Sequence, residues 1–172
     1  MNNVPKYYKT SLTDVENTVK SVKKAAVKTL CLSAGCRPVY MFKYGGENIF
    51  NRTANLSSAL GGKNKCCFAD KNSLDYLPTL LLVGCIHGGE FEGTAALLNL
   101  INIIESGCDL AGKEFFDLKS LCDRINLLII PCINPDGRSH IPFDSFVGKG
   151  FNDLRYYNQG TWADGTLCGW PN

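Results

Sequence analysis

An imidazole and a carboxylate stand three residues apart in this chain, directly after an apolar run. They belong to His87 and Glu90, with Gly88 and Gly89 between them, and the apolar run spans residues 80–86. Glycines let the backbone turn tightly, so both side chains can converge on one point. Imidazole nitrogen and carboxylate oxygen are zinc ligands, and a catalytic zinc site has three protein ligands and an open position for water. The spacing therefore predicts two of the three protein ligands of one Zn²⁺ ion.

The elements around this pair favour a metal site over a chance His-x-x-Glu. The unbroken apolar run 80–86 predicts a strand that is buried on both faces in a parallel sheet. Apolar residues at helical spacing then predict a helix over 92–105. A second apolar run, 125–133, predicts another buried strand, so that strand, helix and strand form a βαβ unit. The second histidine of the chain, His140, follows this unit.

The remaining elements are predicted from periodicity and from helix and strand end signals. A helix is expected over 11–31, with an apolar stripe formed by Val15, Val19, Val22, Ala26 and Leu30. A strand is expected over 39–44, where β-forming residues lie between a proline and two glycines. Residues 47–76 show no sustained period and are expected to be mostly loop. A further short helix is expected over 114–123.

Length and composition indicate one domain over residues 1–172, with a tail at 1–10 and an irregular loop region at 139–172. Hydrophobic residues make up 45% of the chain, which is enough for a core. The net charge of +2 gives no reason to expect nucleic acid as a partner. No apolar stretch is long enough to cross a bilayer, so no membrane partner is expected.

Other features bear on location and association. The first residues lack the apolar segment of a signal peptide, which predicts a cytoplasmic protein. The nine cysteines are then expected to be reduced and mostly buried. The region 139–172 is rich in aromatic residues without helical or strand spacing, and these residues need a surface to pack against. Self-association through exposed aromatic side chains is therefore an expectation.

Three segments resemble the zinc carboxypeptidase family. The first, residues 35–40, reads Gly-Cys-Arg-Pro-Val-Tyr and is similar to the entrance of an early strand in that family. The second, residues 78–90, contains the apolar strand and the His-Gly-Gly-Glu motif. The third, residues 133–137, reads Ile-Asn-Pro-Asp-Gly and is similar to a turn at the end of a strand. The resemblance covers residues 35–138 and is to the N-terminal part of the family's catalytic domain.

The resemblance implies a fold and roles for particular residues. The fold would be α/β, with a mixed and mostly parallel sheet flanked by helices on both faces, and incomplete in this chain. His87 and Glu90 would be zinc ligands, and the Asn-Pro-Asp-Gly turn would be structural. An arginine after that turn would stabilise the oxyanion of the substrate. Arg138 and Arg155 are the candidates, and the polar and aromatic neighbours of Arg155 favour it as the catalytic residue.

The family's third ligand, a histidine, and its catalytic glutamate would both come after Asn172. His140 follows the Asn-Pro-Asp-Gly turn too closely to match the family's third ligand, although a loop could still bring it to the metal.

Three functions are consistent with this pattern. The first is a zinc-dependent hydrolase that removes C-terminal residues from peptides through a metal-activated water. The second is an amidohydrolase acting on acyl-amino acids, of the aspartoacylase and succinylglutamate desuccinylase type. The third is a truncated, non-catalytic domain that binds metal or serves as an interaction surface. Peptides and acyl-amino acids are the corresponding substrate classes.

Overall fold

The computed structural model describes residues 4–45, 54–70, 72, 76–156, 160–162, 164 and 166–168. In chain order, the described helices and strands are α1 (Leu12–Ser21), β1 (Ala26–Leu32), β2 (Pro38–Tyr44), α2 (Leu56–Gly61), β3 (Thr79–Val83), α3 (Glu92–Ser106), α4 (Phe116–Cys122), β4 (Asn126–Ile130), α5 (Pro135–Ser139), β5 (Gly160–Thr161) and β6 (Leu167–Cys168). Two 3₁₀ helices, Lys65–Cys67 and Phe151–Tyr156, complete the elements of the described part of the chain.

The first four strands form one mixed sheet in the order β1-β2-β4-β3. Strand β2 pairs antiparallel with both β1 and β4, whereas β3 pairs parallel with β4. Helix α3 connects the two parallel strands, which confirms the predicted βαβ unit. The predicted α/β class, with a mixed sheet flanked by helices, is therefore confirmed. The sheet was expected to be mostly parallel, but among the described strands only the β3–β4 pairing is parallel, because β1 and β2 form an antiparallel hairpin beside β4. Strands β5 and β6 form a separate two-stranded ladder.

The helix predicted over 11–31 is wrong in its second half. Helix α1 begins at a capping box, in which Ser11 and Asp14 each bond the other's backbone N–H, and it ends at Ser21. The chain then turns and continues as β1. The Glu105 carboxylate of α3 accepts hydrogen bonds from the backbone N–H groups of Lys23 and Lys24, which fixes this turn. A contact distant in sequence thus ends the helix, and periodicity within 11–31 does not reveal it.

The core lies between the sheet and helices α1 and α3. Its buried residues are Val15, Phe42, Tyr44, Cys85, Leu98, Ile101, Ile104, Cys122, Leu127, Ile129 and Cys132. Helix α3 ends at Gly107, whose φ of +87° is a left-handed conformation that glycine adopts without a Cβ clash. The predicted strand over 39–44 and the predicted helices over 92–105 and 114–123 are confirmed with small shifts at their ends.

Strand β3 differs from its prediction. It was expected to be buried on both faces, but Leu80 and Leu81 are 45% and 54% exposed. The cause is position, because among the described residues β3 pairs only with β4 and forms one edge of the four-stranded sheet. The run of apolar residues correctly indicated a parallel strand, and it did not indicate an edge.

Two regions expected to be irregular contain short elements. Residues 47–76 include α2, a 3₁₀ helix and an isolated bridge between Ala54 and Phe68. After residue 139, a 3₁₀ helix and the β5–β6 ladder lie among the described residues. Of the aromatic residues there, Phe143 and Phe146 pack against Phe91 and against each other, so the expectation of exposed aromatic side chains is wrong for these two. Phe151 and Trp162 are 86% and 59% exposed, and Tyr157 and Trp170 lie outside the described residues. No helix in the described part of the chain has the length and apolarity needed to cross a bilayer.

Candidate metal centre

His87 and Glu90 converge at the carboxyl end of β3. The imidazole Nδ1 lies 3.0 Å from Glu90 Oε2. The backbone N–H of Glu90 donates to the His87 carbonyl at 3.0 Å, which closes a turn around Gly88 and Gly89. Nδ1 is shielded from solvent, while the two side chains as a whole are 30% and 47% exposed. The turn thus brings a nitrogen and an oxygen donor to one point at the surface.

The turn is held against the end of β4. Asn134, the N-cap of α5, donates from Nδ2 to the Ile86 carbonyl at 3.0 Å and accepts from Gly137 N–H at 2.8 Å. A Cβ on Gly88 would lie 2.2 Å from the carbonyl carbon of Gly137. Only glycine fits at this contact, because the neighbouring atoms are backbone atoms that cannot move aside cheaply. The His-Gly-Gly-Glu and Asn-Pro-Asp-Gly motifs are therefore packed against each other.

Phe91, the residue after Glu90, anchors the other end of the turn. Its side chain is fully buried and stacks on Phe146, with ring centroids 5.2 Å apart. The Arg138 guanidinium lies over the same ring, 4.9 Å from its centroid. Arg138 also donates to the Thr10 carbonyl and pairs with Asp144. This arginine is 4% exposed and holds the fold beneath the turn, so it is not positioned to meet a substrate.

Asp136 joins the Gly-Cys-Arg-Pro segment to the junction, which is the place where the His-Gly-Gly-Glu and Asn-Pro-Asp-Gly motifs pack against each other. Its buried carboxylate accepts hydrogen bonds from the Ser33 hydroxyl (2.8 Å), the Gly35 N–H (2.9 Å) and Arg37 (2.8 Å). Burial acts to raise the pKa of Asp136, but these hydrogen bonds and the Arg37 charge outweigh it, and the pKa is below its ordinary value. The three segments that carry the sequence resemblance therefore meet at one place.

Two buried thiols lie directly beneath the turn. Cys85 donates to the His87 carbonyl at 3.4 Å, and Cys132 is hydrogen-bonded to Cys85. The hydrogen bond between the two thiols and burial both raise the pKa of Cys132. The same hydrogen bond lowers the pKa of Cys85 and outweighs the effect of burial there. The eight cysteines whose side chains the structure describes are free, but only Cys85, Cys122 and Cys132 are buried, so the expectation of mostly buried thiols is wrong.

The donor atoms suit a zinc ion. Two ligands bound at about 2.0–2.1 Å to a tetrahedral ion lie roughly 3.3 Å from each other, close to the Nδ1–Oε2 distance. Among the residues that the structure describes, no three His, Cys, Asp or Glu side chains gather as a metal site. His140 is exposed at the end of α5 and does not complete such a group there. The described residues thus offer two of the three predicted ligands.

The predicted catalytic arginine remains a prediction. The backbone of Arg155 lies in the 3₁₀ helix Phe151–Tyr156, and its side chain lies outside the described residues.

The sequence did not predict the supporting contacts of three residues, which are Phe91, Asp136 and Arg138. It indicated only that the turn containing Asp136 is structural and that Arg138 is a candidate catalytic arginine. For Asp136 a signal was present, since a carboxylate in one motif and Arg37 in another form a complementary pair. The contacts of Phe91 and Arg138 span distant parts of the chain and left no periodic pattern.

Comparison with known families decides the membership. The model of the zinc carboxypeptidase family matches residues 7–145 of the chain. The chain belongs to the zinc carboxypeptidase family. No curated protein matches it at a significant level. The match covers every segment on which the sequence resemblance was based, and it confirms that resemblance.

Solved structures that resemble the chain are carboxypeptidases. One is assigned as a carboxypeptidase A from Shewanella denitrificans OS-217 (18% identity, TM-score 0.45, covering 73% of this chain and 25% of that one). A metallo-carboxypeptidase from Burkholderia cenocepacia has 17% identity and a TM-score of 0.44, with 72% and 25% covered. A metallo-carboxypeptidase from Pseudomonas aeruginosa, in complex with (2-guanidinoethylmercapto)succinic acid, has 16% identity and a TM-score of 0.36, with 73% and 24% covered. The chain spans about a quarter of the length of these proteins.

Proposed function

We propose that His87 and Glu90 are two ligands of one zinc ion in a hydrolase that removes C-terminal residues from peptides. The observation that carries this proposal is the 3.0 Å approach of Nδ1 and Oε2 in a turn closed by its own hydrogen bond. Membership of the zinc carboxypeptidase family supports zinc as the metal and peptides as the substrate. A third ligand and a general base would have to come from outside the described residues.

The residues of this chain would position the ligands and limit their movement. When bound, a zinc ion in such a site activates a water molecule and polarises a carbonyl group. Asn134 and Gly88 hold the turn against α5, and Phe91 holds the start of α3. Ligands fixed in this way need little reorganisation when the metal binds.

Arg155 is the proposed electrostatic stabiliser of the oxyanion that forms on the substrate. A cation beside that oxygen lowers the energy of the transition state, where the negative charge is largest. The alternative candidate, Arg138, is excluded from this role by its burial and by its bonds to Thr10 and Asp144. Replacing Arg155 by lysine would keep the charge, whereas replacing it by methionine would remove the charge.

Zinc binding tests the proposal directly. Competition with a chromophoric chelator is expected to give one zinc ion per chain. His87→Ala and Glu90→Gln should each weaken this binding by at least about 100-fold, because each removes a ligand. His140→Ala, which removes the other histidine of the chain, is the matched control and should leave the affinity unchanged. Equal affinity of the wild type and the His87→Ala variant would refute the proposed site.

Substrate class is tested separately on zinc-loaded protein. A panel of peptides differing at the C-terminal residue is compared with a panel of N-acyl-amino acids. Turnover of peptides supports carboxypeptidase activity, and turnover of acyl-amino acids alone supports the amidohydrolase. Because the described residues supply two ligands and no general base, we expect low turnover by this chain.

Two further expectations accompany the proposal. Phe151 and Trp162, at 86% and 59% exposed, are the described aromatic side chains that support self-association. Sedimentation of the chain over a range of concentrations checks this, and a monomer at all of them counts against it. The cytoplasmic location stays a prediction from the sequence.

A further inference from the structure

Side chains from three parts of the fold surround a cavity of about 130 Å³. Helix α1 contributes one wall, since residues three or four apart on a helix lie on the same face. Strand β2 contributes residues two apart, which point to the same side of the sheet. The chain after β4 closes the remaining wall. The mainly apolar lining residues are Leu12 and Val15 of α1, Pro38 and Tyr40 of β2, and Cys132 and Pro135 after β4.

The size and lining of this cavity suit a single aromatic ring. Val15, Cys132 and Pro135 are buried, and apolar atoms form most of the wall. An apolar protein cavity of about 150 Å³ binds benzene, and this cavity is only slightly smaller. Tyr40 also offers an aromatic ring as a contact, and aromatic rings attract each other in offset or edge-to-face arrangements. A ring of benzene size therefore fits between α1 and β2.

The mouth of the cavity carries a net negative charge. Two charged residues complete the lining, Glu16 and Arg37, and both reach solvent. The Arg37 guanidinium is paired with the Asp136 carboxylate at 2.8 Å, so its charge is compensated. Glu16 forms no ion pair with any residue that the structure describes. The uncompensated charge at the mouth is therefore that of the Glu16 carboxylate.

We propose that this cavity binds a small aromatic amine, with the ring between α1 and β2 and the ammonium group at Glu16. Burial of the ring removes apolar surface from water. A carboxylate attracts a cation and repels an anion at the same position. Ligand sites of this kind are mostly apolar, and a few polar groups fix the orientation of the ligand. Neither His87 nor Glu90 lines the cavity, so the proposal does not depend on the zinc site.

Three ligands of similar shape test the proposal on the full chain. Benzylamine, toluene and benzoate carry a positive charge, no charge and a negative charge at neutral pH. Each is titrated into isotope-labelled protein, and two-dimensional NMR gives the dissociation constant and shows which backbone amides shift. We expect shifts at the lining residues Val15, Glu16, Tyr40 and Cys132, and the tightest binding for benzylamine, then toluene, then benzoate.

Two outcomes of this titration would contradict the proposal. Shifts that do not saturate, or that are confined to residues elsewhere in the chain, would show that the cavity is not a binding site. Tighter binding of toluene or benzoate than of benzylamine would show that an amine is not its ligand.

Leu12→Trp tests the location of the site. The larger ring extends into the cavity, so we expect benzylamine binding to weaken at least about tenfold, because two rings cannot occupy one volume. Thr13→Trp, at an exposed position of the same helical turn, is the matched control and should bind as the wild type does. Wild-type affinity in Leu12→Trp, with an unchanged circular dichroism spectrum, would overturn the site.

Glu16→Gln tests the ligand class with little change in the shape of the side chain. An interaction between exposed charges is modest, so we expect benzylamine binding to weaken about threefold while toluene binding stays the same. Asp117→Asn, at an exposed carboxylate on α4, is the control for the loss of one negative charge and should keep both affinities. Unchanged benzylamine affinity in Glu16→Gln, or an equal change for both ligands, would overturn the contact between the ammonium group and Glu16.

Discussion

Strands β3 and β4 have similar sequences and different surroundings. Each begins with one polar residue, Thr79 or Asn126, followed by four leucine, isoleucine or valine residues, and the strands pair in parallel register over their whole length. Leu127 on β4 is 1% exposed, whereas its register partner on β3, Leu80, is 45% exposed. Strand β4 lies between β2 and β3, whereas in the part of the chain that the structure describes β3 has a neighbouring strand on one side only. Their similar composition thus does not translate into similar burial.

The residues that follow the carboxyl ends of the two strands do not differ in burial as the strands themselves do. Beyond β3, Cys85 and Gly88 are buried, and beyond β4 Pro135 and Asp136 are buried. The exposed strand therefore ends in a tightly packed junction that holds His87. The position of the candidate metal ligands depends on this junction more than on burial of β3 itself.

Leucine-to-alanine substitution at two register partners is the strongest test of this comparison. Leu127→Ala removes buried methyl groups and leaves a cavity, so we expect a loss of about 3 kcal/mol in the free energy of unfolding. Leu80→Ala removes the same groups from a side chain that is nearly half exposed, and we expect a loss of less than about 1 kcal/mol. Urea unfolding followed by circular dichroism measures both.

The substitutions are identical, so intrinsic differences between residue types cancel. Similar losses in the two variants would mean that β3 is as buried as β4 in solution. That result would show that something covers the β3 edge, for example a second copy of the chain.

Gly88→Ala tests the junction. The added Cβ would lie 2.2 Å from the Gly137 carbonyl carbon, so the turn or α5 must shift. We expect a loss of about 2 kcal/mol in the free energy of unfolding and weaker zinc binding. Gly61→Ala, where a Cβ meets nothing within 4 Å, is the matched control and should keep both properties. Wild-type zinc affinity in Gly88→Ala would contradict the role given to this contact.

Much of the fold could be predicted from local patterns. The period of α3 and its terminal glycine, the β-forming residues of β2 and the apolar run of β4 all gave elements close to those observed. The errors have a common cause. The end of α1 depends on Glu105 and the exposure of β3 depends on sheet order, and both arise from contacts between residues far apart in the chain.

The ligand residues of the candidate site could also be predicted from local patterns, but the contacts that hold them could not. His87 and Glu90 could be selected because ligand types and glycine spacing carry a chemical meaning within four residues. The supporting contacts of Asn134, Phe91 and Arg138 could not, since each requires knowledge of which segments meet. The Arg155 prediction depends on the family resemblance and still requires a functional test.

Asp136→Asn provides the smallest and most specific test of the junction. The folded-state pKa of Asp136 lies below its ordinary value of 3.8, because hydrogen bonds from Ser33, Gly35 and Arg37 outweigh burial. Its ionised form therefore adds stability that is fully present above about pH 4 and is lost as the pH falls through the lower folded-state pKa. The asparagine side chain would keep the shape and lose the charge, so we expect a loss of about 1.5 kcal/mol at pH 7.

The variant should also change the pH dependence of stability. Urea unfolding between pH 7 and acid is expected to show a shallower decline for Asp136→Asn than for the wild type, because one carboxylate that favours the folded state is missing. Asp117→Asn, on the exposed surface of α4, is the control and should follow the wild-type curve. If Asp136→Asn and the wild type lost stability in parallel as the pH fell, the ionised carboxylate would not be what joins the β1–β2 turn to α5. The junction under His87 would then depend on the backbone contacts of Gly88 and Asn134 alone.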